Sequence, residues 1–347
     1  MVSDEAKGLW ADILSELAPE LTQSIEAGGK HVQCPVHGGK DGFRVFNDFQ
    51  ATGGGVCNTC GSFPGGVKLL SWIRQVTPRE AARMVHQWLE GDRGGPVAQR
   101  RVRIAFKEPD PSKARASIVQ IWSGCRDIQD TLAEQYLVKR GIPVAAISRR
   151  LRFHPELAYF ESIDGRWRHT GSFPAMVAAI QLPDDRGVCL HRTYLCAQGT
   201  KANVASPKKM TMRSALSRGG AIRLFAPREV LAVAEGIETA LAVRAATGLA
   251  VWAAVSATLM ESLEAPAGVR EVHIFADKDE SGRGLKAAEV LARRLRRAGL
   301  EVQIHLPAGR IPHIRGDGRK GIDWLDVYVS EGASAFPSVF GGIRRAA

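Results

Sequence analysis

Phe275-Ala276-Asp277-Lys278-Asp279-Glu280-Ser281-Gly282-Arg283-Gly284 decides the fold of the C-terminal third of this chain. An apolar run, 270–276, leads into this acidic turn, and a helical pattern, 284–298, leads out of it. The same grammar occurs upstream, where an apolar run over 229–234 ends at Glu235-Gly236 and opens onto a helical pattern over 237–247. Further runs at 249–255 and 301–306 read as strands, with a short helical stretch at 259–263. Strands that are apolar throughout and alternate with helices imply a parallel sheet covered on both faces. Ligands of such sheets bind at the C-terminal ends of the strands.

Three acids fall at those ends, Glu235, Asp277 and Asp279. On extended chain, residues 277 and 279 point the same way. Carboxylate oxygens suit Mg²⁺ or Mn²⁺, which keep several waters and bind substrate phosphates through few protein ligands. Gly321-Ile-Asp-Trp-Leu-Asp326 adds Asp323 and Asp326. The competing reading makes these acids turn formers and helix caps, but the pattern recurs in three segments and favours a metal centre. Gly282 and Gly284 would let a phosphate approach the backbone, although G-x-G alone is weak evidence.

Near the other end, Cys34-Pro-Val-His37 and Cys57-Asn-Thr-Cys60 form two pairs with two-residue spacers beside turn glycines. Three sulfurs and one nitrogen make a closed tetrahedral set that suits one structural Zn²⁺. His31 is a spare ligand without the spacer, and Cys125, Cys189 and Cys196 read as small buried apolar residues. Helical patterns flank the ribbon at 4–17, 67–76 and 78–89, the last capped by Thr77 with Pro78 and Glu80.

Residues 93–103 read as a linker. Beyond it, helical patterns at 117–122, 128–139 and 143–150 precede short apolar runs over 151–225, with a hairpin joining 175–182 to 187–195. The expected division is 1–92, a zinc-binding domain; 104–225, a basic mixed α+β subdomain; 226–330, the parallel α/β domain; and 331–347, a tail. The fold class is multi-domain α/β.

Charge singles out the middle. The chain carries +11, and residues 100–220 hold 21 Lys and Arg against 10 Asp and Glu, so the flanking regions cancel. Such a surface fits a polyanion, most often nucleic acid. At 45% apolar and 24% charged, the composition excludes wholesale disorder, and six cysteines exclude a disulfide scaffold. The apolar run 248–260 is too short to span a bilayer, and the first ten residues carry no secretory pattern. We therefore expect a reducing, cytoplasmic setting and no membrane partner.

EGIETAL (235–241) followed by FADKDESGRG (275–284) resembles the Toprim domain of DnaG-type primases, topoisomerases and recombination mediators. CPVH…CNTCG resembles the zinc-binding domain of the DnaG-type primases, and residues 174–195 loosely resemble their polymerase core. The order is especially similar to primases of phages and mobile elements. The resemblance covers about residues 25–330 and implies synthesis of short RNA primers on single-stranded DNA from ribonucleoside triphosphates. It implies Glu235, Asp277 and Asp279, with Asp323, on Mg²⁺ or Mn²⁺. It implies Arg192, Lys201, Lys208, Lys209 and Arg213, as a group, on template or triphosphate. The ribbon would dock on template, where Phe43 or Phe46 could stack bases, though a place in the ribbon core is the favoured reading of both. A replicative helicase would be a separate partner, because the chain has no P-loop, and with 17 residues after Ser330 a helicase-binding domain is expected to be absent.

One departure matters. Cellular primases carry an Asp four residues after the motif Glu, and here that place is Thr239, beside Glu238. Thr239 favours the rival reading of a non-catalytic single-stranded DNA-binding protein. A topoisomerase is a weaker rival, since none of Tyr136, Tyr159, Tyr194 and Tyr328 lies in a strand-passage domain.

Overall fold

The computed structural model describes residues 2–90, 111–163, 166–211, 219–280, 282–308 and 321–338. The chain forms two compact units, Met1–Pro109 and Asp110–Ala347.

In the first unit, strands β1 (Val32–Cys34), β2 (Gly38–Val45), β3 (Gly55–Cys57) and β4 (Gly61–Phe63) form an antiparallel sheet in that order. Helices Trp10–Leu17, Gly66–Arg74 and Pro78–Glu90 pack around it through Trp10, Leu14, Leu69, Leu70 and Val85, all buried. The helix expected over 4–17 is in fact two, Val2–Glu5 and Trp10–Leu17. Gly8, at φ +86°, separates them in a conformation that a helix interior does not allow. Thr77 and Glu80 form the expected capping box: Thr77 N donates to the Glu80 carboxylate at 2.8 Å, and Glu80 N to the Thr77 hydroxyl at 3.3 Å.

The second unit holds two five-stranded sheets. One is an antiparallel meander of β5 (Arg126–Asp127), β6 (Arg152–Ile163), β7 (Arg166–Gln181), β8 (Gly187–Tyr194) and β9 (Lys208–Met210). β7 and β8 form the expected hairpin, but β6 and β7 run for 12 and 16 residues, far longer than the short runs of the sequence suggest. Of the expected middle helices, the first extends over Pro111–Ser123, the second starts at Leu132, and 143–150 contains only a single 3₁₀ turn, Val144–Ala146.

The other sheet runs β10 (Ile222–Arg223), β12 (Val251–Ala253), β11 (Val230–Ala234), β13 (Glu271–Phe275) and β15 (Glu301–His305). Its last four members are parallel, as expected, and β10 adds an antiparallel edge. Helices Ile237–Thr247, Ala257–Ser262 and Arg283–Arg297 cover it. A two-stranded ribbon, β14 (Lys278–Asp279) with β16 (Gly321–Ile322), lies beyond β13 and leads to helix Trp324–Glu331.

A single apolar cluster runs from Tyr136, Phe153 and Met176 through Ala234 and Leu241 to Phe275 and Trp324. The meander and the parallel sheet also exchange two backbone hydrogen bonds between Gln181 and Ala221, at 2.9 and 3.0 Å. Among the described residues no helix is long and apolar enough to cross a membrane.

Candidate functional site

In the zinc-binding unit, the ligand atoms of Cys34, His37, Cys57 and Cys60 all lie within 4.8 Å of one another. β1 and β3 each end on a cysteine, and the turns that follow bring His37 and Cys60 round beside them. His37 Nε2 lies 3.1 Å from Cys57 Sγ. Burial pushes the Cys57 thiol up, but the Cys60 amide and His37 outweigh burial and bring it down to about 7. Burial and the neighbouring thiols push Cys60 up to about 12. A cation at the centre would hold all three as thiolates, so this donor set fits Zn²⁺. His31 stands apart, its Nδ1 2.9 Å from the Asp41 carbonyl oxygen. Phe43 is buried and stacked on Trp72 at 5.8 Å, so it is ribbon core; Phe46 is half-buried, under the Arg44 guanidinium. Of the other cysteines, Cys189 is buried as expected, while Cys125 and Cys196 are half-buried. We expect Cys57→Ser to release the metal and loosen this unit alone, as read by elemental analysis and limited proteolysis. A wild-type protein without bound zinc would contradict this assignment.

At the parallel sheet, Glu235 directly follows β11, Asp277 follows β13 with Ala276 between, and Asp279 lies on β14. β11 and β13 are neighbours, with Ala234 opposite Phe275, so the chain carries Glu235 and Asp277 off the same sheet edge. Burial, then the charges of Asp323, Glu235, Asp279 and Asp326, push the Asp277 carboxyl well above its ordinary range. Burial also raises Glu235, against the pull of Arg283 and Lys208. Asp277 Oδ1 is buried without a hydrogen-bond partner. A buried carboxylate oxygen with no donor, among four other acids, is what a divalent cation would satisfy. Gly284 closes the turn: its N–H points at Asp279 Oδ2 at 3.4 Å, and a Cβ there would lie 3.0 Å from the Asp277 carbonyl oxygen.

Asp323 and Asp326 do form a helix cap. Asp323 Oδ1 accepts from Asp326 N at 2.8 Å, and Asp326 Oδ2 accepts from Asp323 N at 3.1 Å. Asp323 still acts on Asp277 through its charge, so the two readings of this residue are compatible.

Sequence reasoning missed the pairing at Glu238. This buried carboxylate accepts from the Tyr136 hydroxyl at 2.6 Å and from Lys208 Nζ at 2.9 Å. Burial alone would raise it, but Lys208 and Tyr136 prevail and hold it far below the usual carboxylate range. Glu238 is therefore engaged elsewhere and does not replace the acid missing at Thr239, whose side chain is buried. No local motif signals a pair that joins the first turn of helix Ile237–Thr247 to strand β9.

Of the basic group, Arg192 on β8 stands opposite Lys209 on β9, with Lys208 beside it. Arg192 donates to Tyr194 Oη at 3.1 Å and to the Met210 carbonyl at 2.8 Å. Lys209 Nζ donates to the Phe160 carbonyl and lies 4.1 Å from the Tyr159 ring centroid. Lys201 is half-buried, bridged to Leu195 beyond the end of β8. Arg213 lies outside the described residues.

Residues 29–67 match the zinc-binding domain of primase-helicase, residues 230–334 the Toprim domain, and residues 112–224 a domain of unknown function (DUF7146). Among solved structures, the zinc-binding and RNA polymerase domains of the Aquifex aeolicus primase align over 93% of this chain and 83% of theirs, at 16% identity and TM-score 0.41. A DnaG primase catalytic domain bound to single-stranded DNA aligns over 65% of this chain and 78% of its own, at 17% and 0.44. The primase fragment of the bacteriophage T7 primase-helicase aligns over 88% and 96%, at 15% and 0.34. This chain therefore carries the zinc-binding domain of primase-helicase ahead of a Toprim domain.

Proposed function

We propose that this protein is a DNA primase that joins ribonucleoside triphosphates into short RNA primers on single-stranded DNA. The observation that carries the chemistry is the meeting of Glu235, Asp277 and Asp279 at one sheet edge, with Asp277 Oδ1 buried and without a hydrogen-bond partner. Those three residues, with Asp323 behind them, would hold Mg²⁺ or Mn²⁺. When bound, the metal supplies charge neutralisation for the triphosphate and lowers the pKa of the attacking 3′-hydroxyl. The protein's own residues position the reactants. Gly284 keeps the turn open beside Asp279, and Arg283, anchored on Glu261 at 2.5 Å, holds a fixed positive charge close to Glu235. Arg192 and Lys209 lie on adjoining strands where a template backbone can run. The zinc-binding unit would dock on template and choose the start site. A replicative helicase and a phage or mobile-element setting are parts of the same proposal.

The strand-borne cations lead to a salt prediction. Each phosphate neutralised on single-stranded DNA contributes about −0.7 to the log–log slope of affinity against salt. Lys209→Ala is expected to make that slope shallower by about 0.7 and to weaken unrelated oligonucleotides alike. Lys208→Ala should change the slope less, because its ammonium is held on Glu238. Fluorescence anisotropy over a salt series reads both, and an unchanged slope for Lys209→Ala would remove that residue from the template path.

Thr239 supports one rival, a Toprim protein that binds single-stranded DNA without catalysis. Incubation with template, triphosphates and Mg²⁺ separates the two: template-dependent RNA of any length supports the primase, and binding without product supports the rival.

A further inference from the structure

The β6–β7 hairpin carries exposed aromatic side chains that neither the core nor the acidic centre uses. Trp167 is 70% exposed and Phe160 44%. The register pairs Phe160 with His169 and Ser162 with Trp167. Directly opposed residues share a sheet face, as do residues two apart, so Phe160, His169 and Trp167 lie on one face. The Phe160 and His169 rings are 5.4 Å apart between centroids. Lys209 reaches this face from β9, its ammonium 5.4 Å from the Trp167 ring centroid. His169 is exposed on this face as well.

We propose that this hairpin face is a base-stacking platform for single-stranded nucleic acid, with Trp167 as its principal stacking residue. The proposal rests on the template role given above and names the surface that holds the unpaired bases. Flat exposed rings interleaved with cations suit a strand whose base faces are open, because stacking supplies affinity for any base while the cations follow the backbone. Duplex DNA hides its base faces and offers such rings nothing to stack on. The charge agrees with a polyanion, since the segment that contains the hairpin holds the basic excess of the chain. Phe43, the alternative stacking candidate on the zinc-binding unit, is buried, as the favoured reading has it, whereas Trp167 is open.

The test is anisotropy of the full chain, without metal or triphosphates, on labelled oligothymidine, oligoadenine, an abasic strand and a duplex. Trp167→Ala should weaken oligothymidine and oligoadenine alike by about ten-fold, the scale of one lost stacked base. The abasic strand should lose almost nothing, the salt slope should stay unchanged, and Trp167→Phe should restore most of the affinity. Trp167 is too exposed for its loss to disturb the core. Unchanged affinity for oligothymidine, or an equal loss on the abasic strand or the duplex, would overturn the proposal. So would a dimer by light scattering that Trp167→Ala dissociates while oligonucleotide affinity holds, which would assign the face to a second copy of the chain. Primer synthesis is scored separately. A protein that makes no RNA but shows the Trp167 pattern keeps the platform and loses the polymerase, and the converse result does the opposite.

Discussion

Asp277→Ala is expected to abolish primer synthesis while leaving oligonucleotide affinity at the wild-type level. The carboxylate is buried, and the charges of Asp323, Glu235, Asp279 and Asp326 all act on it. Losing a ligand from such a centre removes several kcal/mol of transition-state stabilisation, a rate loss of roughly a thousand-fold or more. The proposed template path uses other strands, so binding should persist. The isosteric Asp277→Asn gives a second readout. Without metal, it relieves a buried negative charge from like-charged neighbours, so it should melt higher than wild type at neutral pH. Added Mg²⁺ should raise the wild-type melting temperature and leave that of Asp277→Asn nearly unchanged. Near-wild-type synthesis by Asp277→Ala, or an equal Mg²⁺ response in both proteins, would remove the residue from the metal centre.

Lys208→Met is expected to destabilise the second unit strongly. It leaves the Glu238 carboxylate buried without its paired cation, the Tyr136 hydroxyl remaining as a donor. Breaking a buried pair from one side costs about 3–5 kcal/mol, and the lower end applies here because the Lys208 side chain is 38% exposed. Glu238→Gln should cost less, since the freed ammonium can turn to water. A Lys208→Met, Glu238→Leu double variant should recover much of the loss, as apolar replacement of both partners often does. The pH dependence follows from the depressed carboxyl of Glu238. Its stabilisation is complete above the ordinary carboxylate range and is lost as pH falls towards the folded-state value. The advantage of wild type over Lys208→Met should therefore be full at neutral pH and shrink as pH falls, as denaturant melts over a pH series would show. Equal melts for the two proteins would mean that the pair contributes nothing.

The parallel sheet was legible because its strands are buried on both faces and its turns are acidic or glycine-rich. Helix Ile237–Thr247 has the bounds that the pattern predicts. The zinc ligands were legible because their spacing alone makes the pairs converge. The meander was not, since β6 and β7 carry bulges between His154 and Leu157 and between Tyr159 and Phe160 that interrupt the two-residue alternation. Outward aromatics at the end of that hairpin, Phe160 and Trp167, also mimic core positions in a sequence. The Lys208–Glu238 pair was hidden because its partners are 30 residues apart and meet only when helix Ile237–Thr247 packs beside β9. Lys208, read as a phosphate contact, is instead held on a buried acid. At Asp323, capping and electrostatic support of the metal centre coexist, which a sequence pattern presents as alternatives.

The central claim is that the acidic edge of the parallel sheet performs nucleotidyl transfer. The direct measurement is incorporation of labelled ribonucleotides on a single-stranded template, with Mg²⁺ or Mn²⁺, by the wild-type chain and by Asp277→Ala side by side. The account predicts short RNA that requires template and metal from wild type, and none from Asp277→Ala. No RNA from a wild-type protein that holds zinc and binds the template, or equal product from both proteins, would contradict it.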